Sequence, residues 1–66
     1  MKIIKVSRAV FSTETVDEAA RAYCGIASIS VAHAEEFSTV SFSECRYDEG
    51  RTASEFENYM IGIENS

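Results

Sequence analysis

The chain has 66 residues, which is enough for one small domain, and we assign residues 1–66 to it. Its net charge of −5, with 6 scattered basic residues against 11 acidic ones, argues against a nucleic-acid partner. No apolar run reaches the roughly 18 residues that a membrane helix needs, and residues 1–5 lack the apolar stretch of a signal peptide. We therefore expect a cytoplasmic protein that does not bind membranes.

Residues 2–8 alternate as a strand does. One face would carry Ile4 and Val6, and the other would carry Ile3, Lys5 and Ser7.

A first helix follows, with Ser12 as the N-cap and a hydrophobic staple between Phe11 and Val16. Gly25 suits the left-handed residue that ends a helix. The apolar stripe would consist of Val16, Ala19, Ala20, Tyr23 and Cys24.

Residues 26–33 and 37–45 predict a β-hairpin. The inward side chains would be Ile29, Val31, Val40 and Phe42, and the outward ones Ser28, Ser30, Ala32, Thr39, Ser41 and Ser43. Phe37 is out of phase with Val40, which indicates either a bulge or a contact at the strand end.

The last element is a second helix. Thr52 and Glu55 match a capping box that would start it. Gly62 either admits the close approach of another backbone or marks a fraying last turn. The apolar face of this second helix would consist of Ala53, Phe56, Met60 and Ile63, with Tyr59 beside them.

The order β-α-β-β-α predicts an α+β two-layer sandwich. A right-handed crossover and a single apolar sheet face place both helices on one side of a three-stranded antiparallel sheet of order 1-3-2. This layout is a truncated ferredoxin-like fold.

The opposite sheet face would carry small hydroxyl side chains, and the first strand would be an unpaired edge. We take this surface as the candidate binding site; the alternative is an ordinary solvated face whose edge Lys2 and Lys5 protect. A core this small contributes roughly 3–5 kcal/mol at best, so we also expect pairing, most simply as a homodimer. The candidate binding residues are Ile3, Lys5, Ser7, Ser28, Ser30, Thr39, Ser41 and Ser43.

Catalytic chemistry finds little support in the sequence. The spacing of Cys24, His33 and Cys45 matches no zinc signature, so we predict no metal site. We expect the two cysteines to be buried thiols rather than a disulfide, with Cys24 in the core and His33 on the surface. No nucleotide fingerprint is present, so we predict no cofactor and no enzymatic activity.

Two stretches, VFSTETVDEAARAYCG (residues 10–25) and EFENYMIGIEN (residues 55–65), resemble the small D protein of the His-Xaa-Ser repeat peptide-maturation systems. The shared outline is a strand, an aromatic-Ser-x-Glu helix start, a hairpin and a final helix, without that family's arginine-and-glutamate ending. The resemblance implies an accessory protein that works beside radical-chemistry enzymes on a repeat-containing peptide.

Three functional hypotheses remain open at this point. The first is a non-catalytic adaptor or peptide-binding module that uses the first-strand edge and the hydroxyl face. The second is a self-assembling structural domain in which the same surface forms the homodimer interface. The third is a small-ligand regulatory domain, which would require a buried apolar pocket with convergent polar groups.

Overall fold

The computed structural model describes all 66 residues and confirms the predicted order of elements. The sheet is antiparallel throughout, with strand order β1-β3-β2, so the third strand lies in the middle and the other two form the edges. The elements are β1 (Lys2–Ser7), α1 (Thr13–Tyr23), β2 (Ser28–His33), β3 (Phe37–Ser43) and α2 (Glu49–Glu64).

Both helices pack on one face of the sheet, as predicted. α1 lies against β2, and α2 lies against β1 and β3. Three aromatic rings meet between the layers: Phe56 contacts Phe42 and Tyr23 edge to face, with ring centroids 5.1 and 5.6 Å apart. The core cluster consists of Val6, Val16, Ala19, Val40, Phe42, Ala53, Phe56 and Met60.

The start of α1 agrees with the sequence, but its end does not. Ser12 is the N-cap, and its hydroxyl accepts from the Thr15 N–H at 3.2 Å. Gly25 does not adopt a left-handed conformation. The helix ends instead in a tightened turn, in which the N–H of Cys24 donates to the Arg21 carbonyl. The Cys24 side chain therefore leaves the apolar stripe and is exposed, contrary to the prediction.

The start of α2 also differs from the prediction. Asp48 is the N-cap, accepting from the Arg51 N–H at 3.0 Å, so the helix begins one turn before the expected capping box. Thr52 is a buried residue within the helix, and its hydroxyl donates to the Asp48 carbonyl. Glu55 binds the Arg51 side chain rather than a helix start. Nothing approaches Gly62, whose position is exposed.

The hairpin is shorter than predicted and carries no bulge. The Ile26 and Ala27 N–H groups donate to the Tyr23 carbonyl, which holds both residues in the turn after α1. Glu44, with a φ of 50°, ends β3. The pairing register is continuous from Phe37 onward, so Phe37 is simply the first member of the outward row of β3.

Candidate functional site

The sheet face that the helices leave bare carries every predicted site residue. Pairing aligns them in rows across the strands. One row joins Lys5, Thr39 and Ala32, and the next joins Ile3, Ser41 and Ser30. Ser43 pairs with Ser28, and Ser7 pairs with Phe37. The structure therefore brings these residues together as one surface.

Phe37 belongs to this face and was missed as a site residue. Phe37 is 41% exposed, and the Lys5 ammonium lies 5.2 Å from its ring centroid. That geometry is a cation–π contact between neighbouring strands. The spacing of two residues from Thr39 is the sequence signal that places Phe37 on the outward row.

The outer side of β1 presents free backbone groups. The Arg8 N–H donates to the Glu36 carbonyl at 3.0 Å, and in an antiparallel ladder such bonds recur at every second residue. The even-numbered residues of β1 therefore bond to β3, and Ile3, Lys5 and Ser7 point their N–H and C=O groups away from it. The Ser7 carbonyl is taken by the N–H groups of Val10 and Phe11.

Ile3 and Lys5 are left with unpaired backbone groups along this edge. None of the loop or turn hydrogen bonds involves the backbone of either residue. Ile3 is 57% exposed and Lys5 is also exposed, so both residues lie at the solvent boundary. A strand placed beside β1 could accept and donate at both positions.

The outer side of β2 is a second unpaired edge. The Ala34 N–H donates to the Phe37 carbonyl at 2.8 Å, so the same alternation turns the backbone groups of Ile29 and Val31 outward. Unlike β1, this strand contains no Lys, Arg, Asp or Glu between Ser28 and His33. The two edges therefore differ in charge but share an open backbone.

His33 links three elements. Its Nδ1 lies 2.7 Å from the Ser38 hydroxyl on β3, and its Nε2 lies 2.9 Å from an Asp17 carboxylate oxygen on α1. The grouping contains the side-chain types of a serine hydrolase triad. Ser38, however, is 0% exposed, so its hydroxyl meets no substrate in this structure. The His33 side chain is 28% exposed, which makes it a structural bridge as well as a surface residue.

The remaining side chains form no compact chemical cluster. Cys24 and Cys45 are both free, and no three His, Cys, Asp or Glu side chains gather in one place. Two open depressions lie on the surface, of about 530 and 360 Å³. The larger is lined by Ser7, Arg8, Ala9, Glu35, Glu36 and Phe37, and the smaller by Tyr47, Asp48, Arg51, Thr52 and Glu55. Neither is the buried apolar pocket that the regulatory-domain hypothesis requires.

Comparison with protein-family models, curated proteins and solved structures found no match to this chain. None of its helices combines the length and the apolar character needed to cross a bilayer.

Proposed function

We propose that the protein is a non-catalytic adaptor that binds an extended segment of a partner protein or peptide along the outer edge of β1. The observation that supports this proposal is that the backbone N–H and C=O groups of Ile3 and Lys5 have no hydrogen-bond partner. An added strand would supply those partners by β-augmentation. The bare sheet face beside them would contact the partner's side chains.

The fold supports a binding site at the outer edge of β1. In the six-element ferredoxin-like arrangement, a fourth strand takes the place beside the first, and by analogy a partner strand would pair at the same edge. In these 66 residues no strand occupies that place. The small side chains of the bare face, such as Ser41 and Thr39, would let a partner approach closely.

The pathway is a further part of the proposal. The resemblance of residues 10–25 and 55–65 to the small D protein favours a role in a radical-enzyme peptide-maturation system, in which the adaptor would present the peptide. The two free cysteines fit a reducing cytoplasmic compartment. No residue is proposed to take part in catalysis.

Two substitutions at Lys5 test the backbone mode of binding. Lys5→Pro removes an N–H that points outward, so it should leave the sheet intact while blocking an added strand. Lys5→Thr removes the same charge but keeps the N–H. Tagged wild-type protein and both variants would be purified from the native host, and the co-eluting proteins identified by mass spectrometry. We expect Lys5→Thr to retain more of the partner than Lys5→Pro does; recovery with Lys5→Pro equal to that with the wild-type protein would overturn the proposal.

A homodimer is the second candidate, and the uncharged edge of β2 favours it. Ile29 and Val31 are only half-buried there, and two copies could meet without repulsion between like charges. Sedimentation equilibrium would measure the mass. Amide exchange that slows with concentration at Ile29 and Val31 would identify the β2 edge, whereas slowing at Ile3 and Lys5 would mean that the dimer occupies β1.

A further inference from the structure

We infer that the segment bound by β1 is acidic, with a carboxylate opposite Lys5 and an apolar side chain opposite Ile3. This inference rests on the proposed function and specifies the partner of the same edge. It depends on the distribution of charge, which differs between β1 and the rest of the chain.

Positive charge is concentrated on β1 and the residue that follows it. Lys2, Lys5 and Arg8 are three of the 6 basic residues, in a chain whose net charge is −5. Lys2 and Lys5 take part in none of the three ion pairs. The Arg8 guanidinium donates to the backbone carbonyls of Ala34 and Glu35 rather than to a carboxylate. The edge therefore holds two lysine ammonium groups without a counter-charge.

The position of Lys5 defines where the partner's charge would fall. Its side chain lies on the bare face and leans over Phe37, on the central strand. A strand added antiparallel to β1 would place one side chain directly opposite Lys5 and, two residues further along, another opposite Ile3. Oppositely charged cross-strand pairs stabilise a sheet, and the exposed Ile3 side chain favours an apolar neighbour. The matching pattern in the partner is acidic, any residue, apolar.

Two neighbouring features further restrict which segment could bind at this edge. Glu35 and Glu36 lie at the far end of the edge, beside Arg8, and would repel carboxylates there. The acidic residue should therefore lie opposite Lys5 rather than beyond Ser7. A second copy of β1 would bring Lys2 and Lys5 again, so like charges disfavour self-pairing at this edge.

The test uses short capped peptides and NMR titration of the ¹⁵N-labelled protein. The probe is Thr-Glu-Thr-Val-Thr-Thr, and its twin carries lysine in place of glutamate. A third peptide keeps the glutamate but has N-methylated backbone amides, which cannot form a ladder. At low salt we expect the glutamate peptide to bind at least threefold more tightly than its lysine twin, with the largest shifts at the Ile3 and Lys5 amides. Added salt should shrink the ratio.

Charge reversal provides the matched comparison. Lys5→Glu should reverse the preference between the two peptides. Arg46→Glu changes the net charge equally at an exposed position that follows β3, and it should leave the preference unchanged. Equal binding of both peptides to wild-type protein would overturn the acidic partner and leave the proposed function standing. Absence of binding by either peptide, or undiminished binding by the N-methylated one, would overturn strand capture itself.

Discussion

The carboxylate of Glu64, the last residue of α2, caps the first turn of α1. Its Oε1 accepts from the Ser12 N–H at 3.1 Å, from the Ser12 hydroxyl at 3.3 Å and from the Thr15 hydroxyl. In a capping box the third helical residue is a Glu or Gln that bonds the N-cap N–H. Here Thr15 occupies that position, and the carboxylate comes from Glu64, which is 52 residues after the N-cap Ser12.

Acid should weaken this connection. Hydrogen bonds from Thr15 and Ser12 hold the pKa of Glu64 below its ordinary value of 4.5. The ionised carboxylate therefore stabilises the folded state above that value, and the contribution is lost as the pH falls through the lower, folded pKa. We expect Glu64→Gln to lower the Tm at pH 7 and to flatten the decline in stability below about pH 4.5. Thermal denaturation followed by circular dichroism at several pH values would measure both effects.

Glu57→Gln is the control for that comparison. Glu57 lies on the exposed side of the same helix, and its side chain makes no hydrogen bond or ion pair. Its removal should leave the acid-dependent part of the curve unchanged. If Glu64→Gln and wild type lose stability in parallel down to low pH, the Glu64 carboxylate does not carry the effect.

The corrected start of α2 gives a second prediction. Asp48→Ala removes the side chain that accepts from the Arg51 N–H, and loss of an N-cap costs about 0.5–2 kcal/mol. Glu55→Gln removes only an exposed ion pair with Arg51, which we expect to matter by less than about 0.5 kcal/mol. Urea denaturation of both variants would rank them. A larger loss of stability for Glu55→Gln than for Asp48→Ala would mean that the helix begins at the capping box of Thr52 and Glu55.

The contact between His33 and Ser38 predicts a non-additive pair of substitutions. His33→Ala leaves the Ser38 hydroxyl buried without its partner, and an unsatisfied buried group costs about 1–3 kcal/mol. Adding Ser38→Ala removes that hydroxyl, so the double variant should be more stable than His33→Ala alone. The double-mutant cycle is measured by chemical denaturation. Simple additivity would mean that the hydroxyl finds water when the imidazole is absent.

Phe56 is the residue on which the small core depends most. It is fully buried and contacts both Phe42 and Tyr23. Phe56→Ala should cost about 3–5 kcal/mol, which is comparable to the stability that a core of this size supplies, so we expect an unfolded chain. Ile61→Ala, at an exposed position of the same helix, should change the stability by less than about 0.5 kcal/mol. A cooperative thermal transition in Phe56→Ala would contradict this prediction.

Periodicity was sufficient to predict the fold because each strand has one apolar face and each helix one apolar stripe. Local end signals were less reliable, and at the start of α2 two competing signals stand close together. Asp48 and Thr52 are both good N-caps one turn apart, and the burial of Thr52 decides between them. The bonds of Glu64 to Ser12 and of His33 to Asp17 join distant residues, and no local pattern encodes such contacts.

The hydrogen bond between His33 and Ser38 also favours the native register of the hairpin. A shift of β3 by two residues would keep its apolar side chains facing the helices, so burial alone discriminates weakly against it. The shift would carry the Ser38 hydroxyl away from the imidazole and bring a different side chain into its place. The cost of a buried Ser38 hydroxyl without a partner then falls on the misaligned hairpin alone. A single serine in the inward row, Ser38, thus favours the native register of the hairpin over the register shifted by two residues.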